Sequence, residues 1–380
     1  MVKKKEKLFL IAILITVSLF FIIEKRFLPG ITSRLSPYKS FELLGNVIGL
    51  VKKNYVEEVN PGKTMKGALK GLTDSLDILS SYLDKENAEK YSKQKNAALK
   101  DTGIIISQKL GTLPLVIGVI ENSPAEKQGI EIGDTLSALD NRSTSMMSPA
   151  EVKLYLKDID DKPVKLRILR GFGIREVSIE RKLLFDRPFS FSEVKKTSGI
   201  LKINYLYHPC VEMIQKDLPS TLKSSKKALI LDLRNCHEGG IDEALKLINL
   251  FLKADNVGTI EKKQGEGIIL SSLEDAFLGK LPLAIWVNQA TIGAAEVVAA
   301  VLQEIRQTKI IGIHTIGLAA KQELFPLEDG SALLLTTGIF RLRSGKKLWE
   351  KGVKPDIQLD LDNQSHSSYL KKTLDILPHM

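Results

Sequence analysis

The chain has 380 residues and a formal charge of +10 at pH 7, with 43% hydrophobic and 26% charged residues. This length allows two or three domains with hydrophobic cores, and the composition is typical of globular proteins. Five His and two Cys are too few for a Cys/His zinc module or a disulfide-rich scaffold, and the basic residues lack the interleaved aromatic residues of a single-strand binder. We therefore expect no metal, no cofactor and no nucleic-acid partner.

An uncharged apolar segment, residues 8–23, follows the N-terminal lysines. As a helix it would span roughly 24 Å, slightly short of the ~30 Å hydrocarbon core of a bilayer. No small-residue cleavage site follows it, so an uncleaved anchor is favoured over a cleaved signal. The basic residues before it predict a cytoplasmic N-terminus and an extracytoplasmic body, periplasmic or at the cell surface. Residues 1–30 are therefore assigned as a cytoplasmic tip and membrane anchor.

Residues 31–100 show the spacing of a helical N-terminal segment. Apolar residues recur at intervals of three and four in two stretches, 41–51 and 65–76. The following stretch, 76–83, predicts a helix end packed by Tyr82. The lysine-rich run 86–100 predicts a solvated helix that leads to a domain boundary.

Residues 101–184 predict a compact, strand-rich module. A strand at 116–120 is followed by Asn-Ser-Pro-Ala-x(3)-Gly-Ile-x(2)-Gly-Asp, which resembles a PDZ domain of the bacterial protease type. PDZ domains bind a peptide C-terminus as an added strand, and amides of a preceding loop hold its carboxylate. The resemblance places that loop on Gly103, Ile104, Ile105 and Ile106. Related domains have Gly-Ile-Gly there, so Ile105 departs from the pattern, and a PDZ fold that binds nothing remains an alternative.

Residues 185–362 alternate strands with helices. Strands are predicted at 199–207 and 228–234, and helices at 210–222 and 242–252. This order predicts a largely parallel sheet with functional sites at the carboxyl ends of its strands. Within 281–301, a strand runs through a small-residue turn into a helix, which is a standard way to present a nucleophile. Residues 363–380 are assigned as a C-terminal tail.

Three motifs resemble those of the carboxyl-terminal processing, or tail-specific, serine peptidases. They are Leu-Ile-Leu-Asp-Leu-Arg-Asn followed by Gly-Gly, the stretch 76–83, and Thr336-Thr-Gly…Ser344-Gly…Lys351-Gly-Val-Lys-Pro-Asp-Ile357. The resemblance covers nearly the whole chain. It implies a multidomain α/β (α+β) protein with a helical N-terminal segment, a PDZ substrate gate and a crotonase/ClpP-like αβ core. It also implies frequent homodimers and cleavage near protein C-termini outside the cytoplasm.

The family uses a Ser/Lys dyad, in which a neutral lysine takes the proton of the serine. The serine is the middle Ser of Ser-Ala-Ser-Ala-Ser-Glu, and residues 291–296 place Gly293 at that position. The base lies in Thr-x-Gly-Lys-Gly-x-x-Gln, and residues 315–322 place Leu318 there and retain Gln322. The 25-residue interval from Gly293 to Leu318 matches the family's spacing. We therefore expect these three positions to be vestigial, without nucleophile or base.

The glycine turn is also altered. The family's Asn-Asn-Pro-Gly-Gly becomes Asn235-Cys-His-Glu-Gly-Gly, which is one residue longer. Gly239 and Gly240 would be the remnant of the oxyanion turn. Because oxyanion geometry tolerates little displacement, the insertion argues against acyl-transfer chemistry.

Other residues near these positions leave an alternative chemistry open. The candidates for a replacement nucleophile or base are Cys236 with His237, Thr291, Lys321 and His314. The two cysteines also have a structural interpretation. Cys210 and Cys236 each follow a predicted strand at the same sheet edge, so they form either a disulfide or two free buried thiols.

The sequence thus predicts a membrane-anchored, extracytoplasmic pseudoprotease. It would act as a scaffold, as a binder of protein C-termini or peptide segments, or as a regulator, in a homodimer or in a heterodimer with an active paralogue. The alternative is an active carboxyl-terminal serine-type endopeptidase that uses non-standard catalytic residues. A third possibility is a membrane-tethered assembly protein for which peptide binding is incidental.

Overall fold

The computed structural model describes residues 37–94, 100–109, 111–159, 162–194, 198–222, 228–361 and 364–377. It divides the chain into two compact units, Met1–Ala68 and Leu69–Met380. Within the described ranges no helix is both long and apolar enough to cross a membrane. The anchor predicted at residues 8–23 lies outside those ranges.

The N-terminal segment contains the two predicted helices, α1 (Pro37–Asn54) and α2 (Pro61–Asp74). The helix end predicted for residues 76–83 is wrong. The Asp77 carboxylate accepts the N–H groups of Leu79 and Ser80 at 2.8 and 2.7 Å, which forms a turn. The chain then continues as strand β1 (Ser81–Leu83) and helix α3 (Lys85–Gln94).

The next module is a small antiparallel domain. Its strands are β2 (Lys100–Asp101), β3 (Ile104–Ser107), β4 (Leu115–Val119), β5 (Thr135–Leu139), β6 (Arg142–Ser143), β7 (Lys157–Asp158), β8 (Val164–Arg170) and β9 (Gly173–Ile179). Its helices are α4 (Pro124–Lys127) and α5 (Pro149–Leu156). The main sheet has the order β3-β4-β5-β8-β9, with β6 paired to β5, and β2 pairs with β7 separately. Strand β3 therefore lies at the edge of its sheet among the described strands.

Both helices of this module begin at a serine whose side chain caps the first turn. The Ser123 hydroxyl accepts the Glu126 N–H at 3.2 Å and begins α4. Ser148 and Glu151 form a reciprocal capping box that begins α5.

The C-terminal half is built on a six-stranded sheet. Its strands are β10 (Phe189–Val194), β11 (Ser198–Ile203), β12 (Ala228–Asp232), β15 (Leu283–Val287), β16 (Lys309–Gly312) and β19 (Ile357–Gln358), in that spatial order. Strand β10 is antiparallel to β11, and the other neighbours are parallel. The predicted parallel sheet is therefore confirmed.

Helices and a second sheet cover this sheet. The helices are α6 (Cys210–Leu222), α7 (Ile241–Asn249), α8 (Ala294–Arg306) and α9 (His366–Ile376). The second sheet is antiparallel and contains β13 (Ala254–Glu261), β14 (Gly267–Ser272), β17 (Ala320–Pro326) and β18 (Ala332–Leu342), and β1 pairs with β18 at Tyr82 opposite Leu333. The segment predicted as a tail thus contains helix α9.

Alternation along the buried strands explains why both faces of the parallel sheet are covered. In β12, Leu229 and Leu231 join the large core that includes α6, α7 and α8, whereas Ile230 faces the opposite core. On that opposite face, the Trp286 indole N–H donates to the Thr373 hydroxyl of α9 at 2.7 Å. Helix α9 is therefore part of the core and closes one face of the sheet.

Candidate functional site

Two turns, after β12 and after β15, meet at the carboxyl edge of the parallel sheet. Asn288 donates its side-chain N–H to Asn235 Oδ1 at 2.8 Å, and its own Oδ1 accepts the Asn235 N–H at 3.0 Å. The Thr291 hydroxyl donates to the Leu233 carbonyl at 2.9 Å, and the Ile292 N–H donates to the Cys236 carbonyl at 2.9 Å. These bonds fix the two turns against each other.

Gly293 occupies the apex between β15 and α8. Its backbone has φ 64° and ψ −113°, a conformation that L side chains rarely adopt. A Cβ added there would have the Leu318 carbonyl oxygen, 3.7 Å away, as its nearest neighbour, so space for a side chain exists. The strained strand-to-helix turn that presents a nucleophile is therefore present, with glycine at its apex.

Glu296, in the first turn of α8, joins this apex to the segment that contains Leu318. Its buried carboxylate accepts the N–H groups of Gly293, Gly317 and Leu318 at 2.9, 2.7 and 2.7 Å and the Thr315 hydroxyl at 2.5 Å. Burial raises the pKa of this carboxyl, and the four hydrogen bonds act in the opposite direction. Glu296 therefore positions Gly293 beside Leu318.

Leu318 is buried in an apolar cluster that also contains residues of the small antiparallel domain. We call this set the junction cluster. Its buried members are Ile105, Ile117, Ile120, Ala290, Ile292 and Leu318, and partly buried Ile78, Leu79, Leu184, Phe185, Ile316 and Trp349 pack against it. The position that the family resemblance assigns to the base is thus surrounded by apolar side chains.

The two domains approach closely beside this cluster. A Cβ added to Gly118 of β4 would lie 2.7 Å from the Ala290 Cβ and 3.0 Å from Asn235 Oδ1. The Asn235 side-chain N–H also donates to the Val119 carbonyl at 3.3 Å. Strand β4 therefore lies directly against the two turns of the candidate site.

The other positions that the sequence predicts to be vestigial make structural contacts. The Gln322 side chain donates to the Leu79 carbonyl at 2.8 Å, so it holds the N-terminal turn. The Gly240 N–H donates to the Leu206 carbonyl at 2.9 Å, so this amide of the predicted oxyanion turn already has an acceptor. Gly239 pairs with Leu206 in an isolated bridge so close that an added Cβ would lie 2.5 Å from the Leu206 Cβ.

The alternative nucleophiles lie in unsuitable surroundings. Thr291 is fully buried, and its hydroxyl both donates to the Leu233 carbonyl and accepts the Asn288 N–H at 2.9 Å. Cys236 is fully buried, and burial raises the pKa of its thiol, which disfavours the thiolate. Burial likewise lowers the pKa of His237, whose Nδ1 lies 3.0 Å from the Asn235 carbonyl.

The candidate bases are also engaged elsewhere. Lys321 forms an ion pair with Glu323 at 2.8 Å on exposed strand β17. His314 is exposed, and its Nε2 lies 2.8 Å from the Lys351 carbonyl oxygen. Across the described ranges, no cluster of three or more His, Cys, Asp or Glu could hold a metal ion.

Strands β11 and β12 are neighbours, as a disulfide between Cys210 and Cys236 would require. In the structure, however, both are free, buried thiols. Burial raises the pKa of Cys210 to about 12.

The predicted carboxylate loop lies at the start of edge strand β3. Gly103 has φ 90°, and an added Cβ would lie 2.2 Å from the Ser123 Cβ, so a side chain does not fit there. Ile104 and Ile106 face the domain's own core, whereas Ile105 belongs to the junction cluster. The isoleucine that departs from the Gly-Ile-Gly pattern therefore connects this domain with the candidate site.

Sequence reasoning missed two features. The first is the role of Glu296 as a hydrogen-bond acceptor, although Glu296 is the last residue of the motif that contains Gly293. The second is a cluster of charges in which Lys157 pairs with Asp101 and Glu238. A lysine next to the end of α5 and a glutamate in the lengthened turn were the signals, but their proximity depends on the tertiary fold.

Comparison with known families agrees with this architecture. The model of peptidase family S41 matches residues 199–359, and a PDZ domain model matches residues 115–170. The chain therefore contains a peptidase S41 domain and a PDZ domain. The predicted family and the mixed α/β fold class, with a PDZ domain and an S41 core, are thereby confirmed.

Proteins similar to this chain include bacterial carboxy-terminal processing proteases. CtpA of Bacillus subtilis is 28% identical over 376 residues, which cover 97% of this chain and 80% of that protein. The carboxy-terminal-processing protease of Bartonella bacilliformis is 29% identical over 335 residues, which cover 85% and 76% of the two chains. Among solved structures, a photosystem II D1 C-terminal processing protease shares the fold, with a TM-score of 0.71 and 21% identity over 89% of this chain and 90% of that one.

Proposed function

We propose that this chain is a non-catalytic member of peptidase family S41, a pseudoprotease that holds protein C-termini and acts as a scaffold or regulator. The junction cluster is the observation that carries the proposal. Three residues that depart from the family's sequence pattern are buried in it together: Ile105, Leu318 and Ile292, which stands where the family's serine motif has Ala.

The physical chemistry of this cluster supports a loss of catalysis. A lysine base needs polar partners and a path for its proton, whereas the Leu318 side chain needs neither. Full burial of a leucine contributes about 1.5–3 kcal/mol, so apolar residues at these positions favour packing of the PDZ domain on the core. The change to Leu318 alone would remove the base. Because Ile105 and Ile292 pack with Leu318, the three changes together also form a contact between the PDZ domain and the core.

The surroundings of the other reactive groups support the same conclusion. Thr291 and Cys236 are fully buried, and the hydroxyl of Thr291 is occupied by backbone groups. An oxyanion would need the Gly240 N–H, but this group donates to the Leu206 carbonyl. These contacts disfavour an active peptidase that uses non-standard residues.

The binding half of the proposal rests on β3. This strand is an edge strand beside α5, and edge strands offer unpaired backbone groups to an added peptide strand. The proposal includes the extracytoplasmic, membrane-anchored location predicted from residues 8–23, and pairing with a second copy or with an active paralogue.

Two measurements on the full chain test the proposal. We expect no labelling by a fluorophosphonate probe and no turnover of a peptide library. We also expect binding of peptides with a free C-terminal carboxylate and weaker binding of the same peptides as C-terminal amides. Turnover abolished by Cys236→Ala or Thr291→Ala would contradict the loss of catalysis. Equal binding of the free acids and the amides would contradict recognition of the C-terminal carboxylate.

A further inference from the structure

A buried group of charges lies where the PDZ domain meets the core. Lys157, at the end of α5, is 3.0 Å from Asp101 Oδ2 and also forms an ion pair with Glu238. The side chains of Lys157 and Asp101 are only 10% and 11% exposed. Glu238 belongs to the turn after β12, the one that is a residue longer than in the family pattern.

This charge group is continuous with the predicted carboxylate loop. Asp101 Oδ1 accepts the Gly103 N–H at 2.8 Å, and the Thr102 N–H donates to the Leu156 carbonyl at 3.2 Å. These bonds place the Lys157 ammonium next to the start of β3. A carboxylate at that end of the peptide groove would therefore meet a buried cation.

A second ammonium belongs to the same region. Lys153 lies in the last turn of α5, four residues before Lys157, which caps the helix. Burial lowers the pKa of Lys153, Glu238 opposes this effect, and Lys157 reinforces it. The Lys153 side chain therefore lies within electrostatic range of the Glu238 carboxylate.

We infer that Glu238 is an internal carboxylate ligand, which pairs with Lys157 beside the carboxylate loop of the PDZ peptide groove and holds the PDZ domain on the core until a protein C-terminus replaces it. The inference rests on the proposed function, since it describes how the proposed binding site is regulated. The ligand class is a free C-terminal carboxylate.

Glu238 and the C-terminal carboxylate of a peptide would compete for Lys157. Asp101 and Glu238 both pair with Lys157, so when Glu238 leaves, the ammonium keeps Asp101 but loses one of its two carboxylates until another arrives. Until then, the population with a free groove is small and the apparent affinity for a peptide is reduced by that fraction. Release of Glu238 would also loosen its turn, which is tied to the turn after β15.

Glu238→Gln in the full chain tests the inference, because it removes the charge and keeps the shape. Glu176→Gln is the control, since Glu176 forms an exposed ion pair with Arg167 within the PDZ domain. Hydrogen exchange is followed in peptides that cover residues 101–107 and 235–240. Titrations use a labelled peptide as the free acid and as the amide.

We expect Glu238→Gln to speed exchange in both segments and to tighten binding of the free acid about tenfold, with no change in the control variant. Glu238→Asp, which keeps the charge with a shorter reach, should show the same changes to a smaller degree and guards against misfolding of the first variant. Unchanged exchange, or equal free-acid affinity in the wild type and both variants, would overturn the inference alone. Faster exchange without binding of the free acid to any form would overturn both the inference and the proposed C-terminus binding.

Discussion

The Leu318 N–H donates to the Glu296 carboxylate over 2.7 Å, so the segment with Leu318 is held by the same side chain that caps the Gly293 turn. This carboxylate is buried and accepts four donors, which makes it the structural centre of the candidate site. The geometry of the site thus depends on Glu296, which lies at neither position of the family's dyad.

Glu296→Gln should therefore destabilise the chain. Each carboxylate oxygen accepts two donors, so whichever oxygen becomes an amide nitrogen will face two donors. Because buried donors without acceptors are costly, we expect a loss of about 2–3 kcal/mol in the free energy of unfolding, measured with urea. Glu274→Gln, at an exposed position, should change it by less than about 0.5 kcal/mol. Equal effects of the two substitutions would contradict the structural role of Glu296.

Much of the fold can be predicted from local sequence. The apolar runs of β12 and β15 determine structure over a few residues, and both strands lie where the sequence places them. Strand β1 could not be predicted in this way, because its partner β18 lies far along the chain. A three-residue strand also has too little pattern to distinguish it from a helix end.

The candidate site shows the same division. The motifs place Gly293 and Leu318 at the positions of the family's dyad, and the structure brings them together. The packing of Ile105 with Leu318 could not be predicted, because it depends on how the PDZ domain meets the core. The same applies to the ion pair between Lys157 and Glu238.

Leu318→Lys, which restores the family's residue at this position, should destabilise the chain. The new ammonium would be buried in the junction cluster, so we expect a loss of about 2–4 kcal/mol in the free energy of unfolding at pH 7. Leu318→Met, which conserves volume, should lose less than about 1.5 kcal/mol. Burial lowers the pKa of such a lysine in the folded state, so the unfolded state binds more protons and the deficit should shrink as the pH rises from 7 toward 10. A deficit that is constant over this range would show that the lysine escapes to solvent.

Gly118→Ala should weaken the contact between the PDZ domain and the core. The added methyl group would lie 2.7 Å from the Ala290 Cβ, which is too close for packed atoms. We expect a loss of about 1–3 kcal/mol in stability and faster hydrogen exchange at residues 288–293. Gly71→Ala is the matched control, because nothing lies within 4 Å of its added Cβ. In helix α2 it should stabilise the chain by about 0.5–1 kcal/mol, and destabilisation by both substitutions would contradict the specific contact.

The contribution of Glu238 to stability should depend on pH. Burial would raise the pKa of Glu238, but Lys157 and His237 outweigh it and lower the pKa from 4.5 to about 2. The unfolded chain therefore binds the proton more tightly between these values, so the stabilisation is present above pH 4.5 and is lost as the pH falls toward 2. Since the side chain is one-third exposed, we expect about 1–2 kcal/mol at pH 7. The difference in unfolding free energy between the wild type and Glu238→Gln should vanish near pH 2, and a difference that persists there would exclude the ion pair as its source.

The two cysteines should be unreactive in the native chain. Both side chains are fully buried, and burial raises the pKa of both thiols, to about 12 for Cys210, so almost no thiolate exists at pH 8. Iodoacetamide should therefore label neither residue until urea is added, and mass spectrometry should then find two labels. Phe172→Cys places a thiol in an exposed turn as a control and should be labelled at once. Rapid native labelling of Cys236 would restore it as a candidate nucleophile, and a non-reduced mass lacking two hydrogens would show that the cysteines are joined in a disulfide.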